Sequence, residues 1–117
     1  MSQSVNCAAA FKFRVTPTVE LSPGVWGNAP VGTLTGIKLR LAATATGTAI
    51  HADVNALPAT EDSDEAGAFY VLVGPAELTA HVLSLGVGRP FWAIWSKAGD
   101  FDMESTPFRV AAYTRVT

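Results

Sequence analysis

The sequence predicts an all-β protein: an antiparallel immunoglobulin-like β-sandwich with one short crossover helix, the alternative being a small β-barrel. Three observations carry this. Of the 117 residues, 49% are hydrophobic and 15% charged, against about 25% charged in an average globular chain, so the chain can fill a core and is not of disordered composition. Ten glycines and seven prolines punctuate it at short intervals, the rhythm of short strands and turns. Between them lie seven or so short runs with strand patterning, and only one stretch has helical spacing. Strand number and spacing do not separate a sandwich from a barrel. The length allows one core, with residues 1–10 as an N-terminal arm and 11–117 as the domain.

Taken in order, the arm holds polar residues and three alanines, too little apolar area to hold itself down, and is expected to be ordered only against a partner. Phe11-Lys12-Phe13-Arg14-Val15 alternates apolar and basic and reads as a half-buried strand. Pro17, Pro23-Gly24 and Pro30 bracket a stretch read as irregular, with Trp26 inside it. Leu34 to Leu41 alternates again, with Ile37, Leu39 and Leu41 on one face and Lys38 and Arg40 on the other. Residues 42–50 read as a weak strand or hairpin edge, and 49–56 as a further strand carrying Ile50, Ala52 and Val54 on one side.

Thr60 to Glu65 reads as a loop ended by Gly67, and Phe69-Tyr70-Val71-Leu72-Val73 as a central strand apolar on both faces. Pro75 suits the first position of a helix and Glu77 its positive end. Leu78, Val82 and Leu85 then share a face, and Gly86 caps the end. Phe91-Trp92-Ala93-Ile94-Trp95 reads as another central strand, Ala98-Gly99-Asp100 as a tight turn, and 108–116 as the closing strand. The expected core is Ile37, Leu39, Leu41, Phe69, Val71, Val73, Ile94 and Val110.

Little in the chain points to catalysis. Cys7 is the sole cysteine, so an internal disulfide or a thiolate metal cluster is not available, and it reads as a small apolar filler. His51 and His81 stand thirty positions apart, and nothing in the spacing nominates a third group for a dyad or a zinc site. The acidic run Glu61, Asp62, Asp64, Glu65 lacks the spacing of a calcium-binding helix–loop–helix and reads as a solvated hairpin tip, which Asp100 and Asp102 would supplement only if their loop lay alongside. No nucleophile elbow, phosphate-cradling glycine loop or metalloprotease motif is present. Trp92 and Trp95, three apart on a strand, point to opposite faces, so one is expected in the core. The expectation is therefore no catalytic residues, no cofactor and no metal ligands.

The charge layout says more. Formal net charge is −2, so nothing global draws the chain to nucleic acid or an anionic membrane. No apolar run has the roughly 18 residues of a membrane span, and the first residues do not read as a secretory signal. Lys12, Arg14, Lys38, Arg40, Arg109 and Arg115 all fall on expected strands, whereas acidic residues crowd into loops. If the first and last strands neighbour each other, these cations share an outward face. Such a face is either solubility decoration and edge protection or a docking surface for an acidic partner or neighbouring subunit, with steering that weakens in salt.

The order of elements then resembles a known group. A Thr/Gly-rich strand pair precedes Asp-Ser-Asp-Glu-Ala-Gly-Ala-Phe-Tyr-Val-Leu-Val (62–73). The helix start Pro-Ala-Glu-Leu (75–78), the aromatic strand Pro-Phe-Trp-Ala-Ile-Trp (90–95) and Thr-Pro-Phe-Arg-Val (106–110) follow. Over most of residues 30–117 this resembles the small immunoglobulin-like β-sandwich structural proteins of tailed-phage virions, found in head decoration, head–tail connection and baseplates. The resemblance is a pattern of elements, and no functional residue carries over from it. It implies a non-enzymatic virion component, assembled in the host cytoplasm in several symmetric copies. Its partners would be capsid, neck or tail proteins, with no membrane and no sequence-specific nucleic acid among them. The competing class on the same fold is a bacterial surface or carbohydrate-binding module, which would expect export and an exposed aromatic row.

Overall fold

The computed structural model describes residues 3–28, 30, 36–65, 67–97 and 100–111, and of 100–104 the backbone only. In chain order the strands are β1 (Gln3–Val5), β2 (Phe11–Val15), β3 (Thr18–Ser22), β4 (Val25–Asn28), β5 (Ile37–Ala42), β6 (Leu57–Pro58), β7 (Thr60–Glu61) and β8 (Phe69–Val73), then β9 (Pro90–Lys97) and β10 (Asp100–Val110). A helical segment lies between β8 and β9. One sheet has the order β1-β10-β9-β5-β6 and a second β2-β8-β7, while β3 and β4 pair only with each other. The protein is thus all-β with one short helix, and among the described residues neither sheet closes on itself, so the barrel alternative does not form.

The alternation read in the sequence sets the inward faces. Phe13 and Val15 of β2 and Phe69, Val71 and Val73 of β8 point to the core, as do Ile37, Leu39 and Leu41 of β5. From the larger sheet Phe91, Ala93 and Trp95 of β9 and Phe108 and Val110 of β10 join the same cluster. The two sheets therefore meet across one core. At its centre Phe13 stands edge-on to Phe11, Phe108 and Phe91, with ring centroids 4.7, 5.2 and 6.4 Å away.

Pro75 starts the helix as expected, after an extended Gly74. One α-helical turn, Pro75–Glu77, widens to a π-helix over Leu78–Val82 and tightens to a 3-10 turn at Leu83–Leu85. Leu78 and Val82 are fully buried. Gly86, at φ +109°, supplies the positive φ that stops the segment.

Five expectations are corrected. Residues 3–7 are not a detached arm: β1 pairs in parallel with β10, Val5 and Cys7 are fully buried, and the Ala111 N–H donates to Val5 O at 3.0 Å. Two small apolar side chains suffice because they enter a core that other strands have already enclosed. The Asn6 side chain accepts from the Ala8 N–H, forming the Asx-type turn that carries the chain from the larger sheet to β2. The parallel pair also makes the larger sheet mixed rather than purely antiparallel.

The stretch through Pro23-Gly24 is not irregular but the β3–β4 hairpin, with Gly24 at φ +77° as a type II turn asks of the residue after Pro. Residues 42–56 form no further strands beyond an isolated Ala42–Ala49 bridge; a 3-10 turn over Ala52–Val54 takes their place. Ile94 is buried, but on the face opposite Trp95, beside Ser96 and away from the main cluster. The loop after β5 reaches that outer face, where the Ser105 hydroxyl donates to Ala45 O.

Candidate functional site

The six cations expected to share a face do not. Lys12 and Arg14 alternate with inward Phe13 and so project from the outer side of the smaller sheet. Lys38 and Arg40 alternate with inward Leu39 on β5, and Arg109 lies between inward Phe108 and Val110 on β10, so these project from the outer side of the larger sheet. The core lies between the two groups. Arg115 lies outside the described residues.

Several of these charges are also engaged locally. The Arg14 guanidinium donates to Asp62 at 2.8 Å and to Glu65 at 3.1 Å. The acidic run is therefore not a free hairpin tip: two of its members latch the β7–β8 turn to β2. The pairs are exposed, and such pairs contribute about 0–1 kcal/mol, so they orient more than they stabilise. Lys12 lies 4.6 Å above the Tyr70 ring, Arg40 donates to the Asn55 side chain, and Arg109 donates to Gly88 O. A uniform positive face is lost because strand pairing decides which neighbours each cation meets.

Lys12 and Arg14 do line a groove of about 570 Å³ where β2 faces the β1–β10 edge, beside Phe11 and Phe108. An apolar wall flanked by cations suits an extended acidic or aromatic segment.

The aromatics divide as their spacing implied. Trp95 is buried in the core and Trp92 half-buried on the opposite face. Trp26 is the outlier, 63% exposed on the β3–β4 hairpin, and Leu21 and Val25 of the same hairpin are 51% and 52% exposed. No residue of that hairpin is buried, and it joins neither sheet.

Sequence reasoning missed one constellation. His51 precedes the Ala52–Val54 turn, and its Nδ1 accepts from the Asp53 N–H at 3.1 Å. His81 comes from the π-helix and stacks on His51, ring centroids 4.0 Å apart and planes at 15°. The Asp53 carboxylate lies 3.2 Å from His81 Nε2 and 3.4 Å from His51 Nδ1. The third group that spacing did not nominate is Asp53, two residues from one histidine and twenty-eight from the other. The His-x-Asp triplet was its only local signal, and no periodicity could place His81 against it.

Cys7 is buried, and desolvation raises its thiol pKa above the ordinary 9.0, which suits a filler and not a nucleophile. Among the described residues no helix is long and apolar enough to cross a membrane. Comparison with protein-family models, curated proteins and solved structures gives no match.

Proposed function

We propose that this chain is a non-enzymatic structural subunit of a larger assembly, of the tailed-phage virion class, built on an immunoglobulin-like sandwich. It docks on a capsid, neck or tail protein through surface contact. The observation that carries this reading is the β3–β4 hairpin. Leu21, Val25 and Trp26 are all exposed on one eleven-residue projection, Val25 and Trp26 on its opposite faces because they are consecutive on β4. Exposed in the monomer, these side chains contribute little to its stability, whereas a protein partner that clasps the hairpin would bury Trp and aliphatic anchors. Two interactions hold the hairpin in shape before any partner arrives: Leu21 packs against Gly27 across the pair, and Glu20 accepts from the Gly24 N–H. The groove beside Lys12 and Arg14 would offer the partner a second contact. Because residues 3–7 pair and bury within the protein, the hairpin and not the N-terminus is proposed as the point of attachment.

The test is co-sedimentation of the purified protein with capsid or tail particles, alongside a Leu21→Ser, Val25→Ser, Trp26→Ser triple variant. The wild type should sediment with the particles. The variant should melt at the wild-type temperature, because none of the three side chains is in the core, yet stay in the supernatant. Equal attachment by both proteins, or binding to glycans and to no particle, overturns the reading.

A further inference from the structure

We infer that His51, Asp53 and His81 form a binding site for one divalent transition-metal ion, of the zinc, copper or nickel class. The inference rests on the juxtaposition of three donor groups from two elements, independently of the docking role.

The spacing is the first argument. Zinc takes imidazole nitrogen and carboxylate oxygen at about 2.0–2.2 Å, so neighbouring donors on a tetrahedron stand about 3.3–3.5 Å apart. Asp53 Oδ2 lies 3.4 Å from His51 Nδ1 and 3.2 Å from His81 Nε2. The three donor atoms all lie within 4.8 Å of one another. Modest rotation of the exposed His51 side chain closes the remaining gap.

The second argument is the protonation pattern. His51 Nδ1 accepts from the Asp53 N–H, so it carries no proton, and it faces the Asp53 carboxylate oxygen at 3.4 Å. Two acceptors pointed at each other gain nothing from that contact, and a cation between them turns it favourable. Binding then gives up the Asp53 N–H bond to His51 Nδ1, which competes with the metal for one lone pair, and the His81 Nε2–Asp53 carboxylate hydrogen bond, with His81 carrying its proton on Nδ1 instead, in exchange for bonds to the metal.

The third argument is the scaffold. Val54 follows Asp53, Val82 follows His81, and both valines are fully buried. Each ligand-bearing backbone is thereby pinned to the core, so the donors are brought together by folding and not by the ion. His81 is 13% exposed, while His51 and Asp53 are 50% and 63% exposed, which leaves an entry path and room for water ligands. Asp53 and Glu77 line a neighbouring cavity of about 240 Å³, placing a second carboxylate near the entrance.

The donor set selects the metal. Two imidazoles and one carboxylate suit zinc, copper or nickel, whereas calcium and magnesium require mostly oxygen. Bound metal would clip the turn after β5 to the helix, positions that no strand pairing joins. Because the unfolded chain does not hold these donors together, binding favours the native state.

The experiment uses the untagged full chain in a non-chelating buffer, with calorimetric titration of zinc chloride and thermal melts at increasing zinc. One equivalent should bind, the melting temperature should rise with zinc concentration, and EDTA should reverse the rise. Calcium chloride should do neither. His81→Gln should weaken binding at least tenfold. His51→Asn should do the same while keeping a side-chain acceptor at the start of the turn, so loss of the metal can be told from loss of the cap. Absence of heat and melting shift at millimolar zinc overturns the proposal. So does one-equivalent binding of unchanged affinity in folded His81→Gln or His51→Asn.

Discussion

Phe13→Ala tests the central structural statement, that the two sheets share one core. Phe13 belongs to the smaller sheet, yet two of the three rings around it, Phe91 and Phe108, belong to the larger one. Truncation removes a fully buried aromatic side chain and leaves a cavity between layers, at a cost of about 3–5 kcal/mol. A domain of this size holds about 5–15 kcal/mol in total, so the variant should fold only marginally. At roughly 4 °C per kcal/mol, its melting temperature should drop by about 12–20 °C. Denaturant titration and calorimetry on the same samples give the free energy, with exposed Leu72→Ala of the neighbouring strand β8 as control, expected within about 0.5 kcal/mol of wild type. A cycle with Phe108→Ala should show coupling of at least about 0.5 kcal/mol, because the rings meet edge-to-face at 5.2 Å. If Phe13→Ala costs under about 1 kcal/mol, or the cycle is additive, the sheets do not pack as described.

Removing residues 1–7 should destabilise the isolated protein by about 3 kcal/mol or more, since burial of Val5 alone contributes about 1.5–3 kcal/mol and the β1–β10 pairing goes with it; an unchanged denaturation midpoint would restore a detached arm. Cys7 predicts a pH dependence. Its folded thiol pKa is raised by burial above the ordinary 9.0, so its contribution is complete below pH 9 and is lost as pH climbs through the folded value. Melting temperature against pH should therefore fall more steeply above 9 for the wild type than for Cys7→Ala, and parallel curves would refute the assignment.

The strands most legible in the sequence were those whose side chains alternate against a single core. β2 and β5 follow that rule, and their inward residues are those the pattern named; β8 reads as apolar on both faces, yet only Phe69, Val71 and Val73 are buried and Leu72 is exposed. Ile94 shows its limit: a strand whose outer face is also covered looks apolar throughout, so hydrophobicity predicts burial without telling which side is buried. β1 failed for a related reason. Its three residues carry one small apolar side chain, and their stability comes from β10, about a hundred residues away, which no local window contains. The β3–β4 hairpin was hidden by the opposite circumstance. It faces no core, so its apolar residues obey no burial pattern, and only Pro23-Gly24 marked the turn.

The candidate sites divide along the same line. A strand cation's outward direction can be read from its neighbours, but its electrostatic role depends on which loop pairing brings alongside. Arg14 meets Asp62 and Glu65 because the β7–β8 turn folds back across β2; its charge is partly met within the molecule, and a partner arriving there must compete with two carboxylates. Among the described residues the hairpin has no such competitor. Leu21, Val25 and Trp26 keep their water until something displaces it, so docking there forfeits no existing packing. If the chain docks as proposed, that asymmetry would put most of the docking energy at the hairpin and leave the cations the lesser task of orienting the partner. It also sets a salt dependence: attachment dominated by the hairpin should persist at ionic strengths that screen Lys12 and Arg14, whereas attachment dominated by the cations would be lost there.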